Sequence, residues 1–273
     1  GLRLAAHVAA GSVVLPQGMG WYPVPGHQTL TFVQRNRVYD TRIWHRPAPV
    51  RLTVQGANDL TFVSNALDGA PVTGAWVVGT RWTEITGKHT RICVSPEHEL
   101  QARQFDWEMG HEIAWLETLV PLGRKPAIVE VPSSLWSVQS ALETRGFPGG
   151  IIVDPSFLMR MDGMRLHGHL LQMWWNTPRT EEEGEVYDVL RQFMANLYAQ
   201  EVEGRSQAYV SLLRLSGDLG TQTEPGKQLL AALRDFRQGR GLAETGALLR
   251  TLYDTPAPLT YAQVARAIKG EQP

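Results

Sequence analysis

Cysteine is almost missing from this sequence, and its scarcity narrows the kinds of site that the chain can carry. Cys93 is the single cysteine among 273 residues, which excludes an internal disulfide and a cysteine-rich zinc centre. Its neighbours in Arg91-Ile-Cys-Val-Ser are typical of a β-strand. We therefore expect a buried structural thiol, with a reactive nucleophile as the alternative.

Long apolar segments and several catalytic motifs are also missing. No apolar run approaches the roughly 18 residues that a transmembrane helix requires, and the start of the chain lacks the basic-then-apolar order of a signal peptide. The sequence contains no phosphate-binding loop, dinucleotide fingerprint, nucleophile elbow or His-Glu-x-x-His motif. These absences predict a cytoplasmic protein that uses no membrane, no cofactor and no metal.

Lysine is scarce as well, since only four of the 26 basic residues are lysines. Arginine is therefore the side chain available for contacts with anions. The formal net charge of −1 hides an asymmetry: residues 1–95 carry nine basic and four acidic residues, a net charge of +5, whereas residues 96–273 carry 17 and 23, a net charge of −6. Such a division favours two surfaces with different partners, or packing of one half against the other.

Short segments rich in β-branched and aromatic residues dominate residues 1–95 and predict an antiparallel β module. The expected strands lie at 29–33, 38–44, 50–54, 60–63, 75–79 and 91–94. Turn-forming sequences separate them, including Arg35-Asn-Arg and Thr86-Gly-Lys. The spacing is typical of a small sheet, sandwich or barrel.

The hydrophobic period changes near Ser95, where helical spacing begins. Ser95-Pro96-Glu97 has the composition of a helix start and predicts a helix from about 96 to 119. Farther on, apolar strands at 127–131 and 151–154 flank a helix that begins at Ser133 or Ser134. A crossover of this length predicts a parallel βαβ unit.

The last third of the chain has the pattern of a helical bundle. Thr180-Glu-Glu-Glu183 predicts a capping box, and further helices are expected at about 205–216, 225–238 and 241–253, with a last one from Thr260. Trp174 and Trp175 predict either a core seam or a partner-docking surface. The sequence thus predicts an α+β protein with a β-rich module at 1–95, an α/β centre at 96–178 that either stands alone or shares a domain with this module, and a helical domain at 179–273.

The strongest functional pattern is a cluster of arginine and aromatic residues in and after the first predicted hairpin. Five arginines lie within 17 residues, with Asp40 as the one acid among them. Arginines neutralise phosphates while aromatic rings stack on unpaired bases, which is how many single-strand binders work. The candidate nucleic-acid-binding residues are Arg35, Arg37, Arg42, Trp44, His45, Arg46 and Arg51. An ordinary solvated β-surface is the competing interpretation, because alternation in a strand does not place all the arginines on one face.

His27-Gln28-Thr29 resembles half of the signature of the 2H phosphoesterases, which use two His-x-Thr/Ser motifs on strands. The resemblance implies that His27 serves as general acid or base on an RNA phosphodiester and that Thr29 holds the phosphate, without a metal. The nearest second candidate, Lys88-His89-Thr90, is one residue out of step with this signature. The motif covers about six residues of the chain, and a turn or edge histidine is the alternative at His27.

Carboxylates and histidines elsewhere give further alternatives. Ligands of βαβ units bind at the carboxyl ends of the strands, which here are residues 132–134 and 154–156. Glu130, Asp154 and Asp162 are expected to form either a carboxylate cluster around the parallel strands, for metal-assisted hydrolysis, or structural contacts. The Glu108-to-His111 and His167-to-His169 spacings suit metal ligands. Hydrogen-bonded or solvated histidines are the ordinary interpretation of both.

Three functional hypotheses follow from these patterns. The favoured one is an RNA- or single-stranded-DNA-binding subunit of a nucleoprotein assembly, which contacts nucleic acid through the arginine cluster and a protein partner through the acidic helical half. The second is a metal-independent RNA phosphodiesterase or endonuclease that uses His27. The third is a protein–protein adaptor that binds no nucleic acid.

Overall fold

The computed structural model describes residues 13–15, 32–34, 37–39, 48–49, 60–64, 71–72, 77–130, 146–147, 149–153, 170–175, 178–206, 223–256 and 258–271. In 32–34, 37–39, 48–49, 71–72 and 146–147 only the backbone and its pairing are described. Strands come first in the chain and helices last, which confirms the α+β prediction.

The described strands are β1 Val13–Leu15, β2 Phe32–Gln34, β3 Arg37–Tyr39, β4 Ala48–Pro49, β5 Thr61–Ser64, β6 Pro71–Val72, β7 Val77–Thr80, β8 Thr83–Thr86, β9 Arg91–Val94, β10 Ala127–Glu130, β11 Gly146–Phe147 and β12 Gly150–Val153. The described helices are α1 Glu99–Leu119, α2 Glu181–Glu201, α3 Glu224–Arg240, α4 Leu242–Asp254 and α5 Tyr261–Ile268. Short 3-10 turns cover Pro96–His98 and Leu171–Met173.

A five-stranded sheet forms the centre of the fold, in the order β11-β12-β10-β9-β8. Its three inner strands are parallel, because β10 pairs in parallel with both β12 and β9. The predicted parallel pair at 127–131 and 151–154 is therefore confirmed, and the predicted helix after Ser133 lies outside the described residues. The third parallel strand, β9, was expected in the β module, so one sheet joins strands from both segments.

Both faces of this sheet are covered, and alternation along the strands assigns each side chain to one face. One face packs against the helices and carries Ile85, Ile92, Val94, Ile128, Ile151 and Val153. The other carries Cys93, Ala127, Val129 and Ile152, which meet Val63 of β5 and Val78 of β7. Residues 127–130 and 150–153 are all buried, as expected for inner strands of a parallel sheet.

The smaller sheets belong to the predicted β module. β1, β7 and β5 form an antiparallel three-stranded sheet, and β2–β3 and β4–β6 are separate antiparallel pairs. The predicted strands at 60–63 and 75–79 correspond to β5 and β7 within about two residues. The predicted strand at 50–54 lies outside the described residues.

Asp106 of α1 fastens the turn between β8 and β9. Its carboxylate accepts the backbone N–H groups of Lys88, His89 and Thr90 at 2.8, 3.2 and 2.8 Å, and the Thr90 hydroxyl at 2.6 Å. A Cβ built on Gly87 would lie 2.2 Å from the Asp106 carboxyl carbon. The close approach of turn and helix thus requires glycine at this position.

The helices pack on the central sheet through a seam at Trp174. This side chain is fully buried, and its Nε1 donates to the carbonyl of Val120 at 2.8 Å. Trp175 is 6% exposed and meets the ring of Tyr253 edge-on, with centroids 5.4 Å apart. These contacts confirm the core-seam interpretation of the tryptophan pair. None of the helices in the described ranges is both long and apolar enough to cross a membrane.

The first turn of α2 holds the C-terminal helix in place. Thr180 accepts the backbone N–H of Glu183 at 3.1 Å, which is half of the predicted capping box. The fully buried Glu183 carboxylate does not return to the Thr180 N–H. It accepts instead from Tyr187 Oη at 2.6 Å and from the backbone N–H groups of Arg179 at 2.5 Å and Leu259 at 2.9 Å. The second half of the box is therefore replaced by a link to the residues before α5.

Two neighbouring carboxylates add to this link. Glu182 accepts the Tyr261 backbone N–H at 3.0 Å, and Glu185 accepts the Tyr261 hydroxyl at 2.9 Å. α5 itself begins with a complete capping box between Thr260 and Gln263. The acidic turn of α2 is consequently engaged within the protein.

Candidate functional site

The predicted nucleic-acid-binding residues lie mostly outside the described part of the chain. Arg37 begins β3, where its backbone is described. The other candidates, Arg35, Arg42, Trp44, His45, Arg46 and Arg51, lie outside the described residues, as do His27 and Thr29. Their assignments remain predictions.

Pairing of β2 with β3 fixes the register of the first hairpin. Phe32 pairs with Tyr39, Val33 with Val38, and Gln34 with Arg37. Only Arg35 and Asn36 separate the last paired positions, which is the loop length that most often joins two antiparallel strands. The hairpin predicted around Arg35-Asn-Arg is therefore confirmed at the level of the backbone.

A buried carboxylate lies at the carboxyl end of the central parallel strands. Glu130 ends β10, and its side chain is 1% exposed. Ser95 follows the neighbouring parallel strand β9, and its hydroxyl donates to Glu130 Oε1 at 2.8 Å. His98 Nδ1 lies 3.0 Å from both carboxylate oxygens. Ser95, His98 and Glu130 thus form a compact polar cluster, which we call the edge cluster.

The edge cluster fixes the orientation of the His98 imidazole. A carboxylate oxygen accepts hydrogen bonds, so Nδ1 of His98 is the donor toward Glu130 and Nε2 is the ring nitrogen outside this contact. The His98 side chain is 18% exposed, and in the described part of the chain no hydrogen bond engages Nε2. A second hydrogen bond, from Trp82 Nε1 to the Glu130 carbonyl at 2.8 Å, holds the strand end. A histidine oriented by a buried carboxylate can serve as general acid or base.

His98 is absent from the predicted site residues because Ser95 has the sequence context of a helix cap. Ser95 makes no side-chain cap hydrogen bond, and the α-helix begins at Glu99 after the Pro96–His98 turn. The hydroxyl is bound by Glu130, a carboxylate 35 positions away in the chain. The signal that could have identified the site is the pairing of β9 with β10, which brings both strand ends together.

Glu108 and His111, which were alternatives for a metal site, each contact another side chain. Gln104 donates to Glu108 at 2.8 Å, and the His111 ring lies beside His89 with centroids 5.8 Å apart. In the ranges that the structure describes, no group of three or more His, Cys, Asp or Glu residues could hold a metal ion. Asp154, Asp162, His167 and His169 lie outside those ranges.

Two further candidate groups, the Cys93 thiol and the Thr90 hydroxyl, are buried in the protein. Cys93 is fully buried, and burial, offset in part by Arg91, raises the pKa of its thiol to about 11. Because the thiolate is the reactive form, the prediction of a structural cysteine is confirmed. The Thr90 hydroxyl, from the out-of-step second motif, is fully buried on Asp106, where it cannot hold a substrate phosphate.

Comparison with known proteins identified no relative, so the proposed function is argued from the residues and their geometry. No protein-family model matches this chain, and no curated protein matches it.

Proposed function

We propose that the protein binds RNA or single-stranded DNA through the arginine cluster of the β2–β3 hairpin and the segment after it. The observation that carries the proposal is the coincidence of five arginines in residues 35–51 with a hairpin of fixed register. This hairpin belongs to the half of the chain that carries a net charge of +5. Phosphates would be neutralised by the arginines, and bases would stack on the aromatic rings between them.

Neutralising the cluster tests this assignment. The triple variant Arg35→Gln, Arg37→Gln, Arg42→Gln should bind single-stranded RNA at least tenfold more weakly than the wild type at low salt. The slope of the logarithm of affinity against the logarithm of salt concentration should fall by about 2, since each lost phosphate contact on a single strand removes roughly 0.7. Fluorescence anisotropy of a labelled oligonucleotide measures both quantities.

A matched control removes the same charge from the helical half. Arg103, Arg240 and Arg266 are exposed helical arginines, and their replacement by glutamine should leave the affinity within about twofold of the wild type. Equal weakening by both triple variants would show a response to net charge alone, which contradicts the hairpin assignment.

In the same proposal the protein binds nucleic acid in the cytoplasm. A protein partner binds the acidic helical half. Residues 96–273 carry a net charge of −6, which suits a basic partner surface. The Glu183 carboxylate is not part of such a surface, since it is buried against Leu259, whereas Glu181 and Glu182 of the same turn are exposed. An adaptor role without nucleic acid is the hypothesis that remains if nucleic-acid binding fails.

A second candidate function, metal-independent RNA cleavage, is favoured by the geometry of His98 and Glu130. In this reaction Nε2 of His98 would take the proton from a ribose 2′-hydroxyl, and the 2′-oxygen would attack the adjacent phosphorus. The bond from phosphorus to the 5′-oxygen breaks, the 5′-oxygen takes a proton from water, and a 2′,3′-cyclic phosphate remains. His98 then returns its proton to the solvent. The chemistry needs an imidazole that exchanges protons near neutral pH, and no metal.

Cleavage of a labelled RNA in EDTA distinguishes the two histidines proposed for this role. Loss of a general base typically lowers the rate about 10²- to 10⁴-fold, so His98→Ala should nearly abolish cleavage if the edge cluster is the site. His111→Ala is the control, because His111 is exposed on α1. Loss of activity in His27→Ala but not in His98→Ala would assign the catalytic role to the His27-x-Thr29 motif. Unchanged cleavage in both His27→Ala and His98→Ala would exclude both histidines.

A further inference from the structure

We propose that the groove between α2 and α3 binds the phosphate group of a small phosphorylated molecule. A cavity of about 330 Å³ lies between these two helices, a volume at the lower end of the range for small-molecule sites. The cavity belongs to the helical half of the chain. The inference is therefore separate from nucleic-acid binding by the hairpin.

The charged side chains that line this cavity are predominantly cationic. Arg205, Arg234 and Arg237 surround it together with a single carboxylate, Glu201. The lining side chains alone sum to +2, but Arg205 also lies 3.4 Å from Glu203 and Arg237 lies 2.6 Å from Glu201, so the excess positive charge at the cavity is that of Arg234. Positive charge concentrated in a concave site attracts anions.

Two of the guanidinium groups have buried donors that are not used. Nε of Arg234 and Nε of Arg237 are both buried without a hydrogen-bond partner within the described part of the chain. Arg237 places Nη2 2.6 Å from Glu201 Oε1, so its charge is paired while its Nε–H is not. Unused donors in buried positions are uncommon in folded proteins, so the two guanidinium groups have hydrogen-bonding capacity beyond their contacts with the described residues.

Arg234 is the centre of the proposed site. Asn196, which is 2% exposed, accepts from Arg234 Nη2 at 3.0 Å when its amide oxygen faces the guanidinium. Burial lowers the pKa of Arg234, yet a guanidinium stays charged throughout the physiological pH range. Among the described residues no carboxylate pairs with this charge. A partly desolvated cation of this kind favours an anionic ligand.

Phosphate suits this donor set better than a carboxylate does. Its terminal oxygens point in several directions, so they can accept from guanidinium groups on different walls of the cavity, and arginine recognises phosphate with paired N–H donors. Phe193, an apolar side chain that is 2% exposed, also lines this cavity. These features point to a small phosphate monoester.

Isothermal titration calorimetry of the full chain at constant ionic strength tests the proposal. The probes are inorganic phosphate, glycerol 3-phosphate and acetate. Glycerol 3-phosphate should bind saturably to one site and more tightly than inorganic phosphate, and acetate should show no saturable binding. Arg234→Gln should weaken binding about tenfold, the loss expected for one charge-assisted hydrogen bond.

Two companion variants keep the test decisive. Arg240→Gln removes the same charge from the end of the same helix without touching the cavity, and it should stay within about twofold of the wild type. Arg234→Lys keeps the charge without the planar donor fork, so it should bind more weakly than the wild type even if Arg234→Gln fails to fold. Circular dichroism checks the fold of each variant.

Four results would overturn the proposal. The first is the absence of saturable binding at millimolar phosphate monoester, and the second is binding of acetate as tight as that of glycerol 3-phosphate. The third is a loss of affinity in Arg240→Gln equal to that in Arg234→Gln. The fourth is displacement of the monoester by RNA together with loss of RNA binding in Arg234→Gln. The last result would assign the cavity to the nucleic-acid interface. Phosphate binding that survives in the hairpin triple variant supports two separate sites.

Discussion

Glu183→Ala is expected to lower the free energy of unfolding by about 3 kcal/mol. The wild-type carboxylate is fully buried and accepts from Tyr187 Oη and from the backbone N–H groups of Arg179 and Leu259. Alanine removes the acceptor but leaves these donors, and a buried donor without a partner costs about 1–3 kcal/mol. The loss should appear in urea unfolding followed by circular dichroism.

The Tyr187 hydroxyl makes the expected effect larger. Burial first, and then the hydrogen bond to Glu183 and its charge, raise the pKa of Tyr187, so its phenol stays protonated and needs an acceptor. Glu183→Gln keeps one acceptor oxygen and should lose less stability than the alanine variant. The control is Glu181→Ala in the same turn, where the side chain is exposed and the change should be within about 0.5 kcal/mol. Equal losses for Glu181→Ala and Glu183→Ala would contradict the role of Glu183.

Asp106→Ala is expected to lower the free energy of unfolding by about 3 kcal/mol, for a similar reason. The carboxylate accepts four hydrogen bonds from three consecutive residues, of which Thr90 is fully buried. Its removal frees the β8–β9 turn from α1 and leaves the Thr90 donors without a partner. Glu108→Ala, two residues along the helix, loses one hydrogen bond from Gln104 and should cost about 0.5 kcal/mol or less. A similar cost for both variants would contradict the proposed anchoring of the turn by Asp106.

The Asp106 contribution should also depend on pH. Burial alone would raise the pKa of Asp106, but the hydrogen bonds from Thr90, Lys88 and His89 outweigh it and hold the pKa below its ordinary value. Because the folded pKa is lower than the unfolded one, the stabilisation is present above the unfolded value and is lost as pH falls through the folded value. The stability difference between wild type and Asp106→Asn should therefore be constant above about pH 5 and narrow below about pH 4. A difference that widens on acidification would contradict this account.

Hydrophobic period and turn composition were sufficient to predict much of the fold. The segments 127–131 and 151–154 and the length of the crossover between them predicted a parallel pair of strands, and the described sheet pairs β10 with β12 in parallel. Three of the described helices in the last third of the chain begin after a threonine whose side chain accepts a backbone N–H group, namely Thr180, Thr223 and Thr260. These features are local, so the sequence alone reveals them.

Contacts between distant segments explain what the sequence did not reveal. β9 was assigned to the β module because nothing in Arg91–Val94 shows that it pairs in parallel with β10. Ser95 and Glu183 have the composition of capping residues, but Ser95 binds Glu130 and Glu183 reaches Leu259. Asp106 is one polar residue in the middle of a helix, and its role depends on a turn 16 to 18 positions earlier.

Whether a candidate site could be predicted likewise depends on whether its residues are close in the sequence. The hairpin could be predicted because its turn and strands are adjacent in the sequence, and the register of β2 with β3 agrees with it. The edge cluster could not be predicted from the sequence, since the strand order of the central sheet is what brings His98 and Glu130 together. The arginines of the α2–α3 cavity likewise come from α3 and from the segment after α2, whose packing against each other the sequence does not specify.

The measurement that tests the central claim most directly is a native-gel titration of a labelled mixed-sequence RNA and its single-stranded DNA counterpart, in EDTA, at low and physiological salt. We expect the intact protein to shift the nucleic acid at low salt and to require a higher protein concentration at physiological salt, because phosphate contacts release counterions. A shortened product would add the cleavage reaction to simple binding. No shift and no cleavage at low salt would contradict both nucleic-acid proposals and leave the adaptor hypothesis.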